Sequence, residues 1–183
     1  MTAHKSTNNT SVPVFLAPLA GITDLPFRSL VSRFGADRVV SEMVASQEMV
    51  QARPLARARA ELGLEAARTA VQVAGREPCW MGECARMLED MGARMIDINM
   101  GCPAKKVTGG YSGSALMRDL DHALALIEAT VDAVGVPVTL KMRLGWDADS
   151  INAPALARRA ENAGVQMVTV HGRTREQLYN GTA

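Results

Sequence analysis

The residues best suited to chemistry in this sequence lie in short polar segments that follow short apolar runs. One segment, Asn99-Met100-Gly101-Cys102-Pro103, contains a thiol, and others contain Lys141 and His171, while Gln72 lies within an apolar run. A thiol is acidic enough to donate a proton near neutral pH. If the apolar runs are strands of one sheet, a thiol, amides, an imidazole and several cations converge on one rim. This convergence indicates an active site more strongly than any single motif does.

The elements that must position these segments follow a regular order. Short apolar runs alternate with longer amphipathic stretches and no hairpin pattern separates them, which predicts parallel strands covered by helices. Asp24 and Asp119 are suited to cap two of the helices. A doubly wound sheet and a (β/α)₈ barrel both fit this order, but polar residues after strand after strand favour the barrel. Strands are predicted at residues 14–17, 38–40, 70–73, 95–98, 138–140 and 167–170.

Composition excludes several classes of protein. The 183 residues are 48% hydrophobic and 21% charged with a formal net charge of +1, so any nucleic-acid site must be local. The three cysteines lack metal-ligand spacing, so we expect no metal site and a reducing, cytoplasmic location. No apolar run approaches the roughly 18 residues of a membrane span. Residues 1–11 are polar and are predicted to be a disordered tail.

Seven segments between about residues 14 and 182 carry a family resemblance: APLAGITDLPFR, SEM, QVAG, DINMGCPAKKV, GGYSGSALMRD, LKMRLGW and VHGRTREQLYNG. In type and order they resemble segments of tRNA-dihydrouridine synthases of the bacterial B type. Leu19 stands where members often have methionine, a change of little expected consequence. The resemblance implies a TIM barrel that reduces uridine to 5,6-dihydrouridine in the D-loop of tRNA.

The resemblance also implies FMN at the mouth of the barrel. Gln72 would hydrogen-bond the flavin, His171 would lie close to it, and Lys141 would stabilise the negative charge of its reduced ring. The residues expected along the isoalloxazine are Ala17, Pro18 and Leu19. NADPH or NADH would be a transient reductant, because the glycine-rich segment 109–113 is not a dinucleotide-binding motif.

Cys102 is expected to be the catalytic acid. Reduction of uracil adds hydride at C6 and a proton at C5, and a thiol on the face opposite the flavin can donate that proton. A buried structural cysteine is the competing interpretation, as it is for Cys84. Asn99 is expected to bind the uracil edge. Phosphate contacts with tRNA are expected from the cations at the rim, unless these belong to a solvated loop: Lys105, Lys106, Arg143, Arg173 and Arg175.

Chain length limits these expectations. A (β/α)₈ barrel usually needs about 250 residues, so residues 12–183 are expected to be the N-terminal part of an FMN-binding TIM barrel, truncated after about the sixth strand. Strands seven and eight and a C-terminal helical tRNA-binding domain would be missing. We therefore expect the isolated fragment to be inactive and to retain little FMN. Two alternatives remain: an FMN barrel oxidoreductase acting on a small molecule, and a truncated, non-catalytic RNA-binding chain.

Overall fold

The computed structural model describes residues 12–183, apart from the side chains of residues 64 and 65. The tail predicted over residues 1–11 lies outside the described residues. The strands are β1 Phe15–Leu16, β2 Arg38–Val40, β3 Val44–Ala45, β4 Thr69–Ala74, β5 Ile96–Met100, β6 Val138–Arg143 and β7 Met167–His171. The α-helices are α1 Leu25–Arg33, α2 Ser46–Val50, α3 Pro54–Arg59, α4 Pro78–Asp90, α5 Lys105–Thr108, α6 Leu120–Val131 and α7 Ala153–Asn162. Two 3₁₀ segments span Gly63–Arg68 and Gly113–Arg118.

The strands form one parallel sheet in the order β1-β2-β4-β5-β6-β7, which follows their order along the chain. Residues of β1 and β7, at opposite ends of the sheet, line the same cavity of about 130 Å³, so the sheet curves through a half-barrel. The predicted parallel α/β barrel class is confirmed. Within the described residues, no helix is long and apolar enough to cross a membrane.

β2 and β3 together act as one interrupted strand. Both pair with β4, β2 through Val39 opposite Thr69 and β3 through Val44 opposite Val73. Between them the Ser41 hydroxyl accepts a hydrogen bond from the Gln72 backbone N–H at 3.0 Å. The side chain thus replaces a carbonyl where the strand is broken. The short β3 was not predicted from the sequence.

The helix boundaries follow local chemistry. The carboxylates of Asp24 and Asp119 accept from the backbone N–H groups of Phe27 and His122, both at 3.0 Å, so both predicted caps are confirmed. Pro54 lies at the first position of α3, where its missing N–H leaves no intrahelical hydrogen bond unmade.

Alternation along the strands gives the sheet two different faces. Ile96, Ile98, Leu140 and Met142 are no more than 1% exposed and pack with apolar side chains of α4 and α6 in the core. Burying each such side chain contributes about 1.5–3 kcal/mol. The intervening residues, among them Asp97, are polar and face the inside of the half-barrel. The core therefore lies outside the sheet, and the polar chemistry lies inside it.

Candidate active site

The carboxyl ends of the strands surround a cleft of about 270 Å³. Nine of the thirteen predicted site residues line it, so the convergence expected from the sequence is observed. The nine are Ala17, Pro18, Leu19, Gln72, Asn99, Cys102, Lys141, Arg143 and His171, and the other lining residues are Ala20, Met43, Gly101, Pro103 and Tyr179.

The backbone N–H and carbonyl groups of Cys102 are both hydrogen-bonded, which holds the loop that carries this residue. Its N–H donates to Asn99 Oδ1 at 3.0 Å, and its carbonyl accepts from the backbone N–H and the hydroxyl of Ser114 at 3.0 and 2.9 Å. Gly113, with φ +60°, lies so close that a Cβ there would come within 2.8 Å of the Cys102 carbonyl. The thiol itself is half-buried and borders the cleft. It is therefore both fixed and reachable.

A chain of buried polar side chains leads from this loop into the barrel. Asn99 donates from Nδ2 to Gln72 Oε1, and Gln72 donates from Nε2 to Asp97 Oδ2, each at 2.7 Å. Asp97 Oδ1 accepts from Thr139 Oγ1 at 2.6 Å. Both ends of the Gln72 and Asn99 amides are therefore engaged within the protein. Burial raises the pKa of Asp97, and its two hydrogen bonds oppose that shift.

Lys141 lies between the cleft and the inner cavity and lines both. Its ammonium has no hydrogen-bond or ion-pair partner within residues 12–183. Burial lowers the pKa of Lys141, while the nearby Asp97 charge raises it. A half-buried cation without a contact partner can bind an anionic group in the cleft.

His171 lies beside three cations. Burial lowers the pKa of its imidazole, and Arg143, Lys141 and Arg173 add repulsion. Its Nε2 is 3.2 Å from Arg173 Nη1. A guanidinium can only donate, so Nε2 accepts and the neutral ring carries its proton on Nδ1. The ring can thus offer Nδ1–H as a donor.

Comparison with known proteins agrees with this geometry. The dihydrouridine synthase family model matches residues 15–183. The chain belongs to the dihydrouridine synthase family. A "Probable tRNA-dihydrouridine synthase" of Rhodobacter capsulatus is 66% identical over 93% of this chain and 53% of its own length. A "tRNA-dihydrouridine synthase B" of Xanthomonas campestris is 51% identical over 93% of this chain and 51% of its own length.

The chain spans about half the length of the curated relatives it matches. A more distant likeness is to the crystal structure of a "putative phosphonomutase" from Burkholderia cenocepacia. The two chains are 20% identical with a TM-score of 0.57, and the match covers 86% of this chain and 69% of the other. At that identity the likeness shows the fold alone.

The sequence places Arg143 among the rim cations that were expected to contact tRNA phosphates. Arg143 does line the cleft, but it is 2% exposed. Its Nε donates to the Gly101 carbonyl at 3.0 Å, and its Nη1 donates to the carbonyls of Thr174 and Leu178 at 2.8 Å each. Because Arg143 ends β6 in alternation with the core residue Met142, its side chain turns into the cleft wall. It joins the Cys102 loop to the loop after β7.

The other four predicted cations of this family member lie outside the cleft lining. Lys105 and Lys106 are exposed on α5. Arg173 donates to the carbonyls of Asn180 and Gly181. Arg175 lies over the ring of Trp146, 4.6 Å from its centroid.

Sequence reasoning missed three features of this cleft and its surroundings. Arg118 also lies over Trp146, 5.0 Å from the ring centroid, and neither residue was selected because they are distant in sequence. Tyr179, which borders the cleft, lies in a loop without periodicity. Asp97 did leave a trace: it is a carboxylate inside an apolar strand, two residues before Asn99 and so on the same face.

Proposed function

We propose that this chain provides the flavin cleft and the catalytic thiol of a tRNA-dihydrouridine synthase, which reduces uridine to 5,6-dihydrouridine in the tRNA D-loop. The observation that carries the proposal is that, in a member of this family, the Cys102 thiol, the Lys141 ammonium and an apolar wall line one cleft. The wall consists of Ala17, Pro18 and Leu19.

The residues of the cleft fit FMN. An aromatic ring system favours apolar neighbours such as Pro18 and Leu19, and the Lys141 ammonium can balance negative charge on the ring. The Nδ1–H of His171 and the remaining amide hydrogen of Gln72 are further donors to the cofactor. When bound, FMN would supply hydride to C6 of the uracil after reduction by NADPH, which acts as a transient reductant.

Cys102 supplies the proton in this proposal. Its S–H bond breaks as the new C–H bond forms at C5, and solvent later reprotonates the sulfur. The thiolate left behind lies in the field of two cations, since Cys102 interacts electrostatically with both Lys141 and Arg143. Asn99 has one amide hydrogen left for the uracil edge, because the rest of its amide is bonded to protein groups.

tRNA would bind through cations around the cleft that are exposed or half-buried. The side chains of Lys105 and Lys106 are exposed on α5. Arg118 and Arg175 stack on Trp146, which leaves guanidinium N–H groups available for phosphate oxygens. Arg143 is assigned to the cleft wall instead, because its donors already bind backbone carbonyls.

The direct test is Cys102→Ala in the full-length protein. We expect flavin absorbance to remain after gel filtration and dihydrouridine formation in tRNA to fall about 100-fold or more, the usual loss when a general acid is removed. Cys79→Ala is the matched control, because Cys79 is exposed on α4 and outside the cleft. Unchanged dihydrouridine formation by the Cys102 variant would refute the assignment.

A substrate comparison separates this proposal from its rivals. The wild-type protein is offered tRNA and free uracil under the same conditions. Reduction of tRNA alone supports the proposal. Reduction of free uracil alone supports a small-molecule oxidoreductase, and binding of tRNA without any reduction supports a non-catalytic RNA-binding protein.

A further inference from the structure

We infer that Asp97 is a positioning residue for Cys102, acting through a relay of two buried amides, Gln72 and Asn99. The inference rests on the proposed function, because it concerns the thiol that delivers the proton. Asp97 lines the inner cavity of the half-barrel and not the cleft that Cys102 borders. Its hydrogen-bonded connection to the Cys102 loop runs through Gln72 and Asn99.

The relay has one consistent direction. At one end the backbone N–H groups of Gly101 and Cys102 can only donate, so Asn99 must present its oxygen to them, at 3.2 and 3.0 Å. Asn99 then donates to the Gln72 oxygen, and Gln72 must donate onward. The carboxylate of Asp97 can only accept, and it ends the chain.

Burial makes this direction costly to disturb. Gln72 is 1% exposed, Asp97 5% and Asn99 8%, so water has little access to any of them. Without an acceptor at Asp97, the Gln72 amide would keep an unsatisfied N–H group or would rotate and turn its donors toward those of Asn99. The first outcome destabilises the relay, and the second removes the acceptor of Asn99 Nδ2, which weakens the hold of the Asn99 oxygen on the Cys102 loop.

The strand register explains why the carboxylate lies there. Gln72 on β4, Asp97 on β5 and Thr139 on β6 are directly paired neighbours across the sheet, so their side chains form one row. Asn99 lies one step nearer the cleft on the same face of β5. The hydrogen bonds of the relay thus link the position of the Cys102 loop to the position of the paired strands.

Two substitutions at Asp97 separate the relay from the charge. In Asp97→Asn the amide oxygen can still accept from Gln72, and the amide nitrogen can donate to the Thr139 hydroxyl, which is able to accept. Asp97→Leu has a similar shape and no acceptor. Thr139→Val is the matched control, because it removes one buried hydrogen bond of Asp97 and leaves the relay intact.

The first measurement is amide hydrogen exchange in the full-length protein, with the amides of Ile96 and Ile98 as the reference for global stability. We expect Asp97→Leu to speed exchange of the Cys102 N–H about tenfold or more relative to that reference. Asp97→Asn and Thr139→Val should stay within about twofold of wild type. If Asp97→Leu does not fold, Gln72→Met breaks the same relay and should give the same result.

The second measurement is turnover. We expect Asp97→Leu to lower kcat for dihydrouridine formation about tenfold or more with little change in KM for tRNA, and Asp97→Asn to restore it. Equal loss in both variants, or unchanged Cys102 exchange in Asp97→Leu, overturns the inference. A wild-type protein that does not reduce tRNA defeats the proposed function, whereas the exchange experiment still decides whether the relay exists.

Discussion

Replacing Arg143 by methionine should destabilise the protein through the backbone rather than through a lost ion pair. Methionine retains much of the side-chain volume but donates no hydrogen bond. Three carbonyl oxygens lose their donor, those of Gly101, Thr174 and Leu178. Two of these belong to buried residues, whereas Leu178 is 41% exposed and its carbonyl can bind water instead.

The size of the effect follows from these contacts. A buried polar group left without a partner costs about 1–3 kcal/mol, so the Gly101 and Thr174 carbonyls together cost roughly 2–6 kcal/mol. The variant no longer buries a charged guanidinium, and the desolvation free energy that this saves offsets part of the loss. We therefore expect the free energy of unfolding to fall by about 3 kcal/mol in total. For a domain of this size such a loss lowers Tm by about 6–12 °C.

Thermal unfolding followed by circular dichroism measures this change, with Arg173→Met as the control. Arg173 also donates to backbone carbonyls, of Asn180 and Gly181, but those residues are exposed and water can replace it. We expect the control to lose less than about 1 kcal/mol. Equal shifts of Tm in the two variants would show that the donors of Arg143 are not what stabilises the cleft wall.

Two further predictions concern titratable groups. The pKa of His171 lies below its ordinary value of 6.5 in the folded state, so unfolded chains bind more protons and the free energy of unfolding should fall as the pH drops below about 6.5. Denaturant titrations at pH 7.5 and 5.5 should show that His171→Gln loses less of this free energy than the wild type does. Burial raises the pKa of Cys84 to about 12, so iodoacetamide at pH 8 should label exposed Cys79 and half-buried Cys102 but leave Cys84 unmodified until denaturant is added, as mass spectrometry can check.

The sequence was sufficient to predict the strand order and the helix caps, because both are written in local patterns. Apolar runs of three or four residues, bounded by glycine and by capping aspartates, leave few alternatives in a parallel α/β fold. β3 was missed because Val44–Ala45 is too short to show any periodicity. Its pairing depends on β4, which is distant in sequence, so only the folded chain reveals it.

The candidate site was predicted in part for the same reason. Residues at strand ends converge in any parallel sheet, which is why Cys102, Lys141 and His171 share a cleft as expected. Side-chain direction and burial depend on tertiary contacts, and they explain the residues whose surroundings differ from the sequence-based prediction. Arg143 looked like a rim cation in sequence, yet carbonyls from two other loops surround it. The two arginines that lie over Trp146 likewise come from segments distant in sequence, so the sequence does not reveal the contact.

The alternation that packs the core also fixes the direction of the charged side chains of the cleft. On β6, Leu140 and Met142 enter the apolar layer beneath the helices, while Lys141 and Arg143 turn into the half-barrel. A register slip of one residue would exchange these pairs and place two cations among apolar side chains. That cost is far larger than the gain from any single contact in the cleft. The apolar core therefore positions the cations of the cleft. The hydrogen bonds of Arg143, and those of the relay inferred for Asp97, hold the loops that surround these cations.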